Sequence, residues 1–411
     1  MNFSARLKTT LSIVSTAGLV AGCATGPTQY AERQLSNVEQ ERVADAPLSM
    51  KSLYRTLYAE GRRNEVLNLM EIGAQHFHEG RYSEAERAFD VVISEIESIY
   101  ADNEAARRAR SLWYEEAEKD FKGEPYERAM AFYYRGLLFL RSGDFDNARA
   151  SFISGLIQDA FAEEEQHSAD FALFLYLAGW AALQMGSPGL AEEHFDELRR
   201  FRPDFIEPDP DHNVLVVLET GTAPRKLADG VGHYELVYRR GRGFEEDRAA
   251  FTYNGATVEA YPMEDIYFQA STRGGRPVDR IIEGQVQFKR TTGEFGTTLS
   301  SVSTNSAVQA WGAAAGGSAP GVLGGLTAIS VGAMSLSARA NPRADTRYWE
   351  RLPDTVHVMT FSTDRGDPEQ TITAHFFDTS GRTFPNLERT ARIHYAPNGV
   401  GLVHASSRQP Q

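Results

Sequence analysis

The strongest constraint on the fold is a spacing of small and large residues that occurs three times in the first half of the chain. A glycine is followed 12 residues later by an alanine and 16 residues later by a phenylalanine. Small residues allow two helix backbones to approach closely, and a large ring fills the groove between them. The pattern therefore predicts three pairs of antiparallel helices. The first is built on Gly73, Ala85 and Phe89, the second on Gly136, Ala148 and Phe152, and the third on Gly179, Ala191 and Phe195.

This spacing resembles the tetratricopeptide repeat (TPR), and Pro203 stands where that family has its closing proline. The resemblance implies stacked helix–turn–helix units that bind other proteins. The glycines are 63 and then 43 residues apart, whereas the family's period is about 34. We therefore expect an irregular array, with an extra helix over 105–121 and a short acidic insert over 160–169.

Beyond residue 207 the hydrophobic period changes from helical to alternating. The clearest strand is 213–219, which is apolar and rich in β-branched residues. Such runs, separated by Gly, Pro, Asp and Asn, are typical of antiparallel sheets. Further candidate strands are 233–240, 256–260, 281–288, 355–361, 371–377, 389–395 and 401–405. These runs predict eight or so short strands.

The predicted fold class is α+β, with an all-α TPR-like repeat domain over 46–207 and a β-rich sandwich or half-barrel over 208–411. The boundary is placed at the proline-rich run 203–211, which neither a helix nor a central strand would tolerate. The formal net charge is −14, and residues 45–211 alone carry 33 acidic and 18 basic residues. Such a surface does not suit nucleic acid, so we expect protein partners instead.

Cys23 is the only cysteine, and it closes the run Leu19-Val20-Ala21-Gly22-Cys23 after the basic head of Arg6 and Lys8. The run resembles the lipid-acceptor site of bacterial lipoproteins. The resemblance implies that residues 1–22 are a signal peptide and that Cys23 carries acyl chains such as palmitate. Ala24, in place of aspartate, implies the periplasmic face of the outer membrane. Residues 23–45 are then expected to form a flexible tether; the alternative is an ordinary signal peptide with an incidental cysteine.

A Gly/Ala-rich insert over 295–338 contains 44 consecutive residues without charge. Pro320 would divide it into two short helices. Three interpretations remain open: a buried helical hairpin or mobile loop that caps the β-domain, a hairpin that touches the membrane or lines a pore, and a binding site for a partner.

Two further segments resemble a family of proteobacterial outer-membrane lipoproteins that combine TPR units with a β-rich C-terminal part. They are 344–353, which reads ADTRYWERLP, and 214–225, which reads VLVVLETGTAPR. The resemblance implies location and architecture, and it brings no activity. Asp345 with Arg347 is interpreted as a structural ion pair.

Sequence motifs give no catalytic constellation, and we expect no enzyme, no cofactor and no metal site. His76, His78 and Glu79 attract attention, but helix positions two apart point roughly 200° away from each other. These three are therefore interpreted as surface residues. His375 and Asp378 could form a dyad, although no nucleophile accompanies them.

The function that this sequence favours is a scaffold for protein–protein interaction in envelope assembly or secretion. Its partners would be one or more periplasmic or outer-membrane proteins, together with lipid through Cys23. The alternative is a membrane-active or transport component that uses 295–338, and a hydrolase on the C-terminal domain is less favoured.

Overall fold

The computed structural model describes residues 32–98, 120–160, 171–229, 235–273, 345–364 and 369–408. Within these ranges the fold is mixed α+β, so the predicted class is confirmed at that level. Eight α-helices occupy the described part of the first half: α1 Asn37–Asp45, α2 Lys51–Glu60, α3 Glu65–His78, α4 Tyr82–Glu97, α5 Pro125–Ser142, α6 Phe145–Ala160, α7 Ala172–Gln184 and α8 Pro188–Phe201.

Three helix pairs, α3/α4, α5/α6 and α7/α8, are each joined by a short turn. In every pair the phenylalanine ring of the second helix lies against the glycine of the first. A Cβ placed on Gly136 would come within 2.2 Å of Phe152, and one on Gly179 within 2.3 Å of Phe195. The contact between Gly73 and Phe89 is looser, at 2.9 Å. The expected extra helix and acidic insert lie almost entirely outside the described residues.

The alanine of each triplet lies one helical turn before the phenylalanine, near the start of the second helix. Ala85 and Ala148 are 0% exposed, and Ala191 is 1% exposed. A methyl side chain at these buried positions leaves room for the first helix of the pair to approach closely. Pro203, by contrast, is exposed and lies two residues beyond the end of α8. It follows the helix end, where a proline cannot continue the helix, and it takes no part in the packing between helices.

Part of the segment expected to be a flexible tether is helical. Helix α1 begins after Ser36, whose hydroxyl accepts a hydrogen bond from the backbone of Glu39 while the Glu39 carboxylate accepts one from the backbone of Ser36. This reciprocal capping box satisfies two backbone donors that would otherwise be unpaired. The prediction of a tether is therefore wrong for 37–45; the rest of the tether up to residue 31, including Cys23, lies outside the described residues.

The described β-strands form three sheets. Their bounds are β1 Val214–Thr220, β2 Arg225–Asp229, β3 Glu235–Arg239, β4 Arg248–Tyr253, β5 Ala256–Glu259, β6 Tyr261–Asp265, β7 Thr355–Phe361, β8 Thr371–Phe377, β9 Arg389–Arg392, β10 His394–Tyr395 and β11 Gly401–Ser406, and helix α9 Ile266–Arg273 follows β6. The strand orders are β10-β11-β1-β7-β6, β5-β4-β8-β9 and β2-β3.

The five-stranded sheet is mixed, because β1 and β11 are parallel while its other pairs are antiparallel. The prediction of a purely antiparallel arrangement is therefore wrong for this sheet. A parallel pair requires a long connection between its strands, and here most of the C-terminal part separates β1 from β11. The candidate strand 281–288 and the insert 295–338 lie outside the described residues.

Strand β1 is buried on both faces, since helices cover one side and the four-stranded sheet covers the other. Val214, Val216 and Leu218 pack against the second sheet. Leu215 and Val217 pack into the cluster that contains the helices. The described protein therefore has three layers, namely helices, the five-stranded sheet and the four-stranded sheet, and the first two layers share one hydrophobic core.

The segment 345–352 lies between the helices and the sheet. Trp349 is fully buried, with its ring 5.6 Å from that of Tyr134 and 6.0 Å from that of Phe89. The predicted ion pair between Asp345 and Arg347 is confirmed at 2.7 Å. Of the helices in the described ranges, none has the length and apolar character needed to cross a membrane.

Candidate functional site

A buried carboxylate lies at the centre of the interface between the helices and the five-stranded sheet. Glu219, near the end of β1, is 1% exposed on a strand face that is otherwise apolar. Three side chains from three other elements surround it. Nε2 of His78 lies 3.2 Å from Oε2, Nε2 of His404 lies 3.1 Å from Oε1, and the hydroxyl of Tyr133 donates a hydrogen bond of 3.0 Å to Oε1.

Strand register and a helix end together place these groups. In the parallel pairing of β1 with β11, Val217 is opposite His404, so His404 lies on the same sheet face as Glu219. His78 is the last residue of α3, and Gly80, the second residue of the turn that follows, has a φ of 75°. The chain thus brings an imidazole to the sheet at the point where the helix ends.

The electrostatics of the cluster favour an ionised carboxylate. Burial alone would raise the pKa of Glu219, but the neighbouring imidazoles of His404 and His78 outweigh it and hold the pKa well below its usual range. The pKa of the Tyr133 hydroxyl is raised, first by burial and then by the negative charge of Glu219. Tyr133 therefore remains a neutral hydrogen-bond donor at physiological pH.

One ligand atom from each of His78, Glu219 and His404 lies within 4.8 Å of the others. Two imidazole nitrogens and a carboxylate oxygen are a donor set that divalent transition metals accept. The same three side chains could also form a hydrogen-bonded ionic cluster without an ion. Their chemistry therefore allows two distinct arrangements.

A cavity of about 920 Å³ adjoins this cluster, and His404 is one of its walls. Phe77 and Tyr82 line it from the helical side, and residues 388–395 line it from β9 and β10. Its volume falls within the range of about 300–1,000 Å³ that small-molecule sites occupy. The cavity is therefore large enough for a small organic ligand.

Basic side chains dominate the cavity wall. Arg141, at the end of α5, stacks its guanidinium 3.7 Å above the ring of Tyr82, and burial lowers its pKa. Burial also lowers the pKa of His394, and the positive charge of Arg141 lowers it further. Arg389 and Arg392 line the same cavity. The wall thus carries three arginines and one glutamate, Glu388, in a chain whose net charge is −14.

The structure differs from the interpretation of His76 and His78 as surface residues. His76 is 2% exposed, and its Nε2 lies 2.9 Å from the Tyr54 hydroxyl. His78 faces Glu219 from the opposite side of the helix. The two imidazoles point away from each other, as their helical spacing predicts, and each contacts different groups. His78 contacts Glu219 of β1 and His404 of β11, and helix spacing alone does not predict contacts with such distant strands.

The proposed dyad of His375 and Asp378 does not come together. His375 lies between Glu388, at 3.1 Å, and the hydroxyl of Thr252, at 2.8 Å. Asp378 instead accepts hydrogen bonds from Ser380 and from the backbone of Arg382.

The three alanines of the helix-packing pattern do not belong to this cluster. Ala85, Ala148 and Ala191 present only methyl groups, and each is buried within its helix pair. They can hold the helices at a fixed separation, but they offer no polar atom to a ligand. Their contribution to the site is therefore indirect, through the position of the helices that carry His78 and Tyr133.

The sequence motifs did not identify Glu219 or His404 as site residues, although one signal pointed to Glu219. A glutamate that follows an unbroken run of five apolar residues in a strand is unusual, because a buried carboxylate requires partners. His404 gives no comparable signal, since its role depends on a strand pairing with a partner 187 residues earlier, Val217↔His404. Comparison of the chain with protein-family models, curated proteins and solved structures finds no match.

Proposed function

We propose that this chain is a lipid-anchored protein of the periplasmic face of the outer membrane that binds a small anionic ligand in the cavity beside His404. The observation that carries the proposal is Arg141. Its guanidinium is half-buried on the ring of Tyr82 at the cavity wall, and within the described ranges it pairs with no carboxylate.

Arginine suits this role because its planar fork can donate two parallel hydrogen bonds to a carboxylate or phosphate. The other arginines at the wall are engaged elsewhere. Arg392 pairs with Glu369 at 2.6 Å, and Arg389 donates to backbone carbonyls, including that of Ser407 at 3.3 Å. Arg141 is therefore the residue expected to bind the ligand, while its neighbours supply long-range attraction.

The three helix pairs are, in this proposal, TPR-like repeats, and α3, α4 and α5 contribute Phe77, Tyr82 and Arg141 to one wall of the cavity. Their first helices, α3, α5 and α7, face the sheet and are largely buried. Segment 345–352 lies against the same helices, where Arg351 pairs with Glu71 and the backbone of Trp349 donates to Glu127. A groove of the kind in which TPR proteins bind peptides is thus filled by the protein's own chain.

The proposal is tested by titrating the folded chain with phosphate, a sugar phosphate and citrate, and by following heat of binding and melting temperature. We expect at least one of these probes to bind and Arg141→Gln to weaken it by more than about tenfold, as expected for loss of a charge-assisted bidentate pair. Arg382→Gln is the matched control, because Arg382 also lies over a ring, that of Phe384, but is exposed and pairs with Asp378. Equal affinities in Arg141→Gln and the unsubstituted chain would contradict the proposal.

The anchor is tested separately by growing cells with a clickable fatty acid. We expect label on the wild-type chain and none on Cys23→Ala, because Cys23 is the only thiol available for acylation. Equal label on both chains would contradict lipid anchorage and leave the cavity proposal untouched.

A second candidate function, an adaptor for another envelope protein, is favoured by the acidic outer face of the helical layer. Glu86 and Asp90 on α4, and Glu192, Glu193 and Asp196 on α8, are all exposed. A photo-cross-linker at Asp196 should capture a specific protein, whereas one at exposed Thr257 on β5 should not. Identical products from both positions, or none from either, would argue against the adaptor.

A further inference from the structure

We infer that His78, Glu219 and His404 bind a divalent transition metal, with Zn²⁺ as its simplest representative. Two imidazole nitrogens and one carboxylate are a ligand set that zinc takes in proteins, and sites of this kind leave a fourth position open. The inference is independent of the ligand proposed for the cavity.

Two of the three separations between ligand atoms are close to those around an ion of this class. Ligand atoms placed roughly 2.1 Å from a tetrahedral zinc ion lie about 3.4 Å from one another. Nε2 of His78 is 3.2 Å from Oε2 of Glu219, and Nε2 of His404 is 3.1 Å from Oε1. These two separations would change by only a few tenths of an ångström. The three ligand atoms lie within 4.8 Å of one another, but the two imidazole rings are stacked with their planes 18° apart. An ion would therefore also require one of the rings to turn towards it.

The orientation of His404 favours a metal over a purely hydrogen-bonded cluster. Nε2 of His78 meets the carboxylate of Glu219 in hydrogen-bond geometry. Nε2 of His404 is buried and equally close to the carboxylate, but it is not aligned for a hydrogen bond. A buried nitrogen left in this position costs free energy, and a metal ion would use its lone pair.

The surroundings resemble those of metal sites in two respects. Tyr133 donates a hydrogen bond to Oε1 of Glu219, and such outer hydrogen bonds orient a carboxylate ligand. The rings of Phe77 and Tyr134 pack around the imidazoles, with centroids 4.9 Å from His404 and 5.9 Å from His78, respectively. His404 also lines the cavity, although its Nε2 is itself buried.

The first experiment measures zinc binding to the full chain carrying Cys23→Ser, since a free thiol also binds zinc. Titration of zinc against a competing chelator should show one tight equivalent per chain and a rise in melting temperature. Absence of any tight equivalent in the folded chain would overturn the inference.

The second experiment removes the ligands one at a time in the same background. Outer partners of metal ligands change affinity about 10–100-fold, so Tyr133→Phe should fall within that range, and His78→Gln and His404→Gln should each exceed roughly 100-fold. His375→Gln is the control, because His375 also contacts a glutamate, Glu388, but has no third ligand. Unchanged affinity in both His78→Gln and His404→Gln would overturn the inference.

A third measurement decides the question if the substitutions prevent folding. X-ray absorption of the zinc-loaded Cys23→Ser chain counts the imidazoles around the ion. Two imidazoles are expected, and a first shell that contains one or none would contradict the assignment.

Discussion

Single residues decide how closely the helices pack, and Gly136 provides the sharpest test. A Cβ at this position would lie 2.2 Å from the Phe152 ring, which is fully buried. Gly136→Ala should therefore lower the free energy of unfolding by roughly 1–3 kcal/mol through overpacking, as measured by urea denaturation.

Gly189→Ala is the control for this prediction, because nothing lies within 4 Å of its added methyl group. It should leave stability unchanged or raise it slightly, since alanine favours a helix more than glycine does. Equal effects of the two substitutions would show that the helices do not pack as described.

The spacing of Gly136, Ala148 and Phe152 was visible in the sequence because these residues belong to neighbouring helices joined by a short turn. The contact between Gly155 and Phe174, where a Cβ would lie 2.6 Å from the ring, joins α6 to α7 across undescribed residues, and no repeated pattern predicted it. Local periodicity thus predicts contacts within a helix pair better than contacts between pairs.

Lys226 is a second residue on which the core depends. Its side chain is 1% exposed, and its ammonium nitrogen lies 3.1 Å from Glu124 and 2.9 Å from Glu127. Burial would lower the pKa of Lys226, but the charges of the two glutamates raise it above its ordinary value. Lys226→Met should destabilise the protein by about 3–5 kcal/mol, because it leaves buried negative charge without a partner.

The matching measurement is chemical denaturation of Lys226→Met alone and together with Glu127→Gln. The double variant should recover part of the loss, since it removes one of the stranded charges. If the double variant lost as much free energy of unfolding as Lys226→Met and Glu127→Gln lose separately, the two side chains would not be coupled.

At the scale of elements, segment 345–352 connects the helical layer to the sheet. Trp349 is fully buried between the helices, so Trp349→Ala should cost about 3–5 kcal/mol of unfolding free energy. Thr346→Ala, at an exposed position of the same segment, should cost less than about 0.5 kcal/mol. Comparable losses from both would indicate that the segment is not anchored through Trp349.

The sequence predicted best those strands in which polar and apolar residues alternate or β-branched residues are frequent. Strands β7 and β8 have the bounds expected from their alternating or β-branched residues. Strand β6 was missed because Pro262 interrupts it, and β2 because its residues Arg225 and Lys226 are charged. Lys226 is buried only because Glu124 and Glu127 of the helical half reach it, and no local pattern contains that information.

At the scale of the whole molecule, acid should destabilise the protein through its buried histidines, of which His357 has the lower pKa. His357 is fully buried, and burial lowers its pKa to about 3. The unfolded chain binds a proton near pH 6.5 and the folded chain does not, so stability present above that pH is lost as the pH falls towards 3. The contribution is roughly 1.4 kcal/mol per pH unit within that window.

His357→Gln should flatten the pH dependence of the urea midpoint between pH 6.5 and 5, whatever its effect at pH 7. The hydroxyl of Thr220, 3.0 Å from Nε2, remains available to the amide. An unchanged slope would show that other groups govern the acid transition.

The largest question at this scale is whether the helical half folds alone. Composition placed a boundary near residue 208, yet the structure joins the two sides through buried contacts. Residues 172–182 of α7 are buried throughout, the backbone of Leu173 donates to Glu264 of β6, and Tyr133 donates to Glu219 of β1. Without the sheet, this apolar surface and these polar groups would face water or remain unpaired.

We therefore expect the fragment 32–207 to expose hydrophobic surface, bind a hydrophobic dye and unfold without a cooperative transition. The chain from residue 24 onwards should show a single transition, with tryptophan fluorescence and far-ultraviolet dichroism changing together. Co-expression of 32–207 with 208–411 is the control, because it restores the missing face without a covalent link. A cooperative, dye-free transition in the isolated fragment would instead make the change in composition a true domain boundary.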